Sequence, residues 1–121
     1  NKKINAFDAY FTPNFIIPFG IKTKVFITLH DLILLDVKEA NNNYLEYLFK
    51  RYLIKRGVKK SIKVYTVSNF SKNRIIKYFN KYKSKIKYSY QGVSNSFKKN
   101  KSEIKRDYIL YIGNIKKHKG D

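Results

Sequence analysis

Two runs rich in β-branched and aromatic residues, Lys24 to Leu29 (KVFITL) and Lys63 to Val67 (KVYTV), each lead into a stretch with a helical apolar period. A helix between two strands returns the chain to the edge it started from, so strands spaced this way pair in parallel. This alternation predicts an α/β fold with a parallel, Rossmann-like sheet and excludes a sandwich or a bundle. Ala9 to Thr12 (AYFT), stopped by Pro13, and Lys85 to Tyr90 (KIKYSY) supply two further strands. Tyr108 to Ile112 supplies a fifth, an uncharged run of the kind covered on both faces of a parallel sheet.

Between the strands, Asn14 to Lys24 holds Pro18 and Gly20 and reads as a loop with an apolar patch, Phe15, Ile16, Ile17 and Phe19. Asn41 to Asn43 can cap a helix starting near Tyr44. Leu45, Leu48, Phe49, Tyr52 and Leu53 recur at helical spacing and are expected to face the core, with Lys50, Arg51 and Lys55 outside. Gly57 leaves the end of this helix open. Ser68 or Ser71 caps a second helix that buries Ile75, Ile76, Phe79 and Tyr82. Residues 92–107, rich in Lys, Asn and Ser, read as a linker anchored by Val93 and Phe97.

The formal charge of +19, with 20 Tyr and Phe residues, raises the question of nucleic acid. Arginine supplies only four of the 27 basic residues, however. Bidentate reading of bases and phosphates leans on arginine. Abundant Lys, Asn, Ile, Tyr and Phe are the profile of AT-rich coding, so no nucleic-acid partner is expected. A basic face also suits peripheral association with an anionic membrane. With no cysteine and two histidines, no disulfide framework and no metal site are expected. No apolar run approaches the roughly 20 residues that span a bilayer, and the expected location is cytoplasmic. The chain begins at Asn1, holds no methionine and reaches its phosphate-type loop at its end, so it reads as a piece of a larger protein.

Polar residues stand at the carboxyl ends of three strands: His30 and Asp31, Ser68 and Asn69, Gly113 and Asn114. In open parallel sheets ligands bind along that edge. Gly113 lets the backbone approach a ligand, and Lys116, Lys117 and Lys119 around His118 suit phosphate oxygens. Taken singly, His30 and Asp31 also suit a loop anchor, and Ser68 a helix cap.

Four segments in this order resemble a retaining glycosyltransferase of the two-domain GT-B type, in the family 4 group. DAYFTPNFIIPFGIKTKVFITLHDL is similar to its mid-domain strand with a His-Asp-Leu turn, and VYTVSNFSKNRII to its strand–Ser–helix block. YQGVSNSF resembles the crossing between its domains, and YILYIGNIKKHKG the opening strand and phosphate loop of the second domain. The resemblance divides the chain into 1–91, the carboxyl-terminal part of the first, acceptor-side domain; 92–107, the interdomain linker; and 108–121, the start of the nucleotide-sugar-binding domain. It implies hexose transfer from a nucleotide-sugar to a glycan or lipid-linked acceptor, in cell-surface polysaccharide synthesis, with no cofactor. The implied roles are His30 as the catalytic residue at the sugar, Gly113, Asn114, Lys116 and Lys119 for donor binding, and Asp31 and Ser68 as supports.

Gln91 and Ser94 replace the usual Asn and Asp of the domain crossing, and Asn114 stands where many members carry Arg. The resemblance implies that the family's two-glutamate motif would lie beyond residue 121. The alternatives are a basic α/β module that grips nucleic acid or an anionic membrane, and a non-catalytic GT-B relative.

Overall fold

A computed structural model describes residues 2–37, 40–41, 43–98 and 112–113. The chain divides into two compact units, residues 1–90 and 91–121. In the first, four strands form one sheet: β1 (Ala9–Thr12), β2 (Lys24–Thr28), β3 (Lys63–Thr66) and β4 (Ile86–Tyr88). They lie side by side in chain order, and every pairing is parallel. The fold is therefore α/β with an all-parallel sheet, as the alternation of strand-like and helix-like segments predicts.

Register decides which side chains share a face. Thr12, Ile27, Val64 and Ile86 stand opposite one another across the four strands, and all are buried. The short helix α1 (Ile33–Asp36) and the long α2 (Tyr44–Lys60) connect β2 to β3, and α3 (Asn69–Tyr78) leads toward β4. Successive right-handed crossovers stepping in one direction put their helices on one side of a sheet. Ile54 and Val58 of α2 and Ile75 of α3 accordingly join Val25, Ile27, Val64 and Ile86 in a single core. Phe11 and Tyr65, on the opposite face, are exposed.

Asn43 caps α2, its side chain accepting from the Glu46 amide at 2.8 Å. At the other end Lys85 donates to the carbonyls of Lys59 and Ser61 at 3.0 and 2.6 Å. Partial burial pushes its ammonium below its ordinary pKa.

The inward face of α2 differs from the expected one. Leu53, Ile54, Gly57 and Val58 are buried, whereas Leu45, Leu48, Phe49 and Tyr52 are exposed. Lys50, expected outside, is half-buried and pairs with Glu46 at 2.5 Å. The helix carries apolar residues around most of its circumference, and close approach decides which of them turn inward. A β-carbon on Gly57 would stand 2.5 Å from the Phe15 carbonyl oxygen, so only glycine lets the helix meet the β1–β2 connection at this depth. The helix therefore runs past Gly57 to Lys60.

Gly57→Ala is expected to destabilise the fold. An alanine gains about 1 kcal/mol of helix propensity, but displacing a packed backbone costs about 1–3 kcal/mol. The net effect should be a loss of order 1 kcal/mol in urea unfolding. A rise in stability would show that the connection yields freely.

The β1–β2 connection holds no helix. Of its expected apolar patch, Ile17 is buried, Phe15 half-buried, and Ile16 and Phe19 exposed; Ile21 is buried in addition. Gly20 turns the chain at φ 73°, and Asn5 spans that turn, donating to the Gly20 carbonyl and accepting from the Lys22 amide.

In the second unit, residues 91–98 form no helix or strand, and Ser94 to Phe97 make a turn closed by the Phe97 amide on the Ser94 carbonyl at 2.9 Å. Val93 and Phe97, expected as anchors, are exposed. The predicted fifth strand lies outside the described residues except for Ile112. Among the described residues no helix is long and apolar enough to cross a membrane.

Candidate functional site

Parallel pairing brings the carboxyl ends of β2 and β3 to one edge, and with them His30, Asp31 and Ser68. Leu29 extends the pairing, its amide donating to the Tyr65 carbonyl at 2.8 Å. The Thr66 hydroxyl then donates to the His30 carbonyl at 3.1 Å. The backbone of His30 is thus tied to β3 while its side chain stays exposed. Its Nε2 lies 3.2 Å from the Pro13 carbonyl oxygen. A carbonyl only accepts, so this bond requires hydrogen on Nε2.

Asp31 accepts from the Ile33 amide at 3.0 Å and so orders the turn into α1. Ser68 caps α3 by accepting from the Ser71 amide at 3.0 Å, and its hydroxyl also donates to the Ser71 hydroxyl at 3.1 Å. Both sets of bonds are local, those of a turn anchor and a helix cap.

Two cavities flank α1. One, of about 250 Å³, is lined by Asp31, Leu32, Asp36, Phe70, Ser71 and Arg74 among others. The second, of about 510 Å³, is lined by Leu35, Asp36, Asn41, Asn43, Tyr44 and Tyr47. The rings of Tyr44 and Tyr47 stack with centroids 6.1 Å apart. Asn41 donates to the Leu34 carbonyl at 2.9 Å, and its Oδ1 is buried without a hydrogen-bond partner among the described residues.

Asp36, on the wall of both cavities, belongs to a cluster that local sequence reading does not reveal. Arg74 donates to it through Nη2 at 2.5 Å and Nε at 3.2 Å, and the Tyr78 hydroxyl donates at 2.8 Å. Burial works to raise the Asp36 carboxyl, but hydrogen bonds from Arg74 and Tyr78, with the charges of Arg74 and Lys77, leave it below its ordinary value. The bond to Asp36, burial and the carboxylate charge together raise the Tyr78 phenol.

A carboxyl lowered in the folded state contributes stability that is complete above its unfolded value and lost as pH falls through its folded one. Asp36→Asn should therefore lower stability at neutral pH and flatten its fall below about pH 4. Urea midpoints at pH 7 and pH 3 check this; parallel falls in both proteins would exclude Asp36 as a contributor.

Among the residues assigned to donor binding, Gly113 lies in an exposed bend of the second unit. Asn114, Lys116 and Lys119 lie outside the described residues. Among the described residues no group of His, Asp or Glu side chains is arranged to hold a metal ion. In comparisons with known proteins, no family model, curated protein or solved structure matches this chain.

Proposed function

We propose that the chain forms the acceptor-side part and the opening of the donor site of a retaining GT-B glycosyltransferase. It would move a hexose from a nucleotide-sugar to a glycan or lipid-linked acceptor. The observation that carries this reading is His30: an exposed ring at the carboxyl edge of a parallel sheet, held by the Pro13 carbonyl, with its backbone tied to Thr66.

In the proposed reaction the bond from the sugar's anomeric carbon to the diphosphate oxygen breaks. A bond from that carbon to an acceptor hydroxyl oxygen forms, with overall retention, and the hydroxyl proton leaves with the departing phosphate. Catalysis then consists of positioning and of stabilising charge on the leaving group. His30 meets the sugar hydroxyls, and Asp31 and Ser68 keep its edge in shape. Lys119, assisted by Lys116 and by the backbone of Gly113 and Asn114, neutralises the diphosphate. We assign the acceptor to the larger cavity, where the Tyr44–Tyr47 pair and Asp36 suit a polyhydroxylated ring.

The donor half is tested by calorimetric titration with a nucleoside-diphosphate hexose, in a protein carrying a complete donor-binding domain. Lys119→Ala should weaken binding about tenfold or more, the worth of one charge-assisted hydrogen bond to phosphate. Lys55→Ala, on the exposed side of α2, should change it little. Equal effects would remove Lys119 from the site.

A further inference from the structure

The exposed residues of α2 are not scattered. Leu48, Phe49 and Tyr52 lie three, four and seven positions after Leu45, which places all four on a single face. Their exposures are 77%, 39%, 60% and 52%, on the side of the helix away from Ile54 and Val58, with the buried Leu53 at its border. Helical phase continues the same face through Lys55 and Lys59, with Arg51 and Lys60 at its margins, and all four are exposed; Arg56, on the same face, is half-buried and bonded to the Ile17 and Pro18 carbonyls. The single carboxylate of α2, Glu46, pairs with Lys50, off this face. One surface therefore presents a large apolar patch that runs directly into positive charge with no salt-bridge partner among the described residues.

We propose that this face docks on an anionic bilayer surface. Leucine and phenylalanine gain by entering the boundary between headgroups and acyl chains, tyrosine suits the headgroup level, and lysine and arginine reach the lipid phosphates. Charge selects this occupant over others. A second copy would set Lys55 and Lys59 against their own equivalents, in a chain of net charge +19. An acidic protein would compensate a local patch, whereas 27 basic residues against eight acidic ones act together only on an extended anionic surface. The inference does not rest on glycosyl transfer, and its test uses no nucleotide-sugar.

The test is cosedimentation of the 121-residue chain with vesicles of phosphatidylglycerol and phosphatidylcholine, against phosphatidylcholine alone. Binding is expected to the anionic vesicles only and to fall as salt rises. Leu45→Ser with Phe49→Ser, and separately Lys55→Gln with Lys59→Gln, should each weaken it roughly tenfold or more. Lys81→Gln with Lys83→Gln, exposed residues outside α2, should change it less than about threefold. Each substituted side chain is exposed, and circular dichroism verifies that the fold is kept. Failure to bind anionic vesicles overturns the proposal, as does a serine pair without effect. A control pair as damaging as Lys55 and Lys59 would reduce the attraction to diffuse charge and overturn it too. Capture of poly-glutamate without vesicle binding would assign the face to an acidic protein instead.

Discussion

Replacing Arg56 with alanine is expected to destabilise the first unit by about 3 kcal/mol, because charge-assisted hydrogen bonds are worth about 1.5–3 kcal/mol each and do not add fully. Its Nη1 donates to the Ile17 carbonyl at 2.6 Å and its Nη2 to the Pro18 carbonyl at 2.9 Å. The guanidinium carbon lies 4.0 Å from the centroid of the Phe19 ring. The β1–β2 connection has no helix to satisfy its carbonyls, so one fork from α2 satisfies two of them and positions Ile17 for burial. In a unit of this size such a loss lowers the thermal midpoint by roughly 10–20 °C. Arg56→Lys should recover only part of it, since an ammonium does not reproduce the planar fork. A midpoint unchanged in Arg56→Ala would show that the connection is held by its apolar residues alone.

What could be read from the sequence follows from how local each signal is. β1 and β2 were legible because β-branched and aromatic runs end at Pro13 and at the His30–Asp31 turn. The helix caps were legible to within a few residues, as one of Asn41 to Asn43 and as Ser68 or Ser71, because a cap acts within three residues; the structure selects Asn43 and Ser68. Parallel topology then placed His30, Asp31 and Ser68 on one edge without any knowledge of packing.

The inward face of α2 was not legible, because this helix carries two apolar stripes and its own period fits both. The choice depends on Gly57 meeting the Phe15 carbonyl, a contact between distant parts of the chain. Arg74 reaches Asp36 across 38 positions, and nothing near either residue announces the pair. The anchoring expected of Val93 and Phe97 rested on composition alone, and both side chains are exposed.

The largest functional effect is expected at His30, and it is the most direct test of glycosyl transfer at this sheet edge. The measurement is turnover of a labelled hexose from nucleotide-sugar to acceptor, by a protein carrying a complete donor-binding domain, with the thermal midpoint recorded beside it. Because misplacing the reacting groups by about 1 Å costs on the order of 100-fold, His30→Ala should lower kcat by that order. The thermal midpoint should move little, since the ring is exposed and makes one hydrogen bond among the described residues, to Pro13. A midpoint that falls while the remaining folded protein turns over at the unsubstituted rate would contradict the account and leave His30 a structural residue.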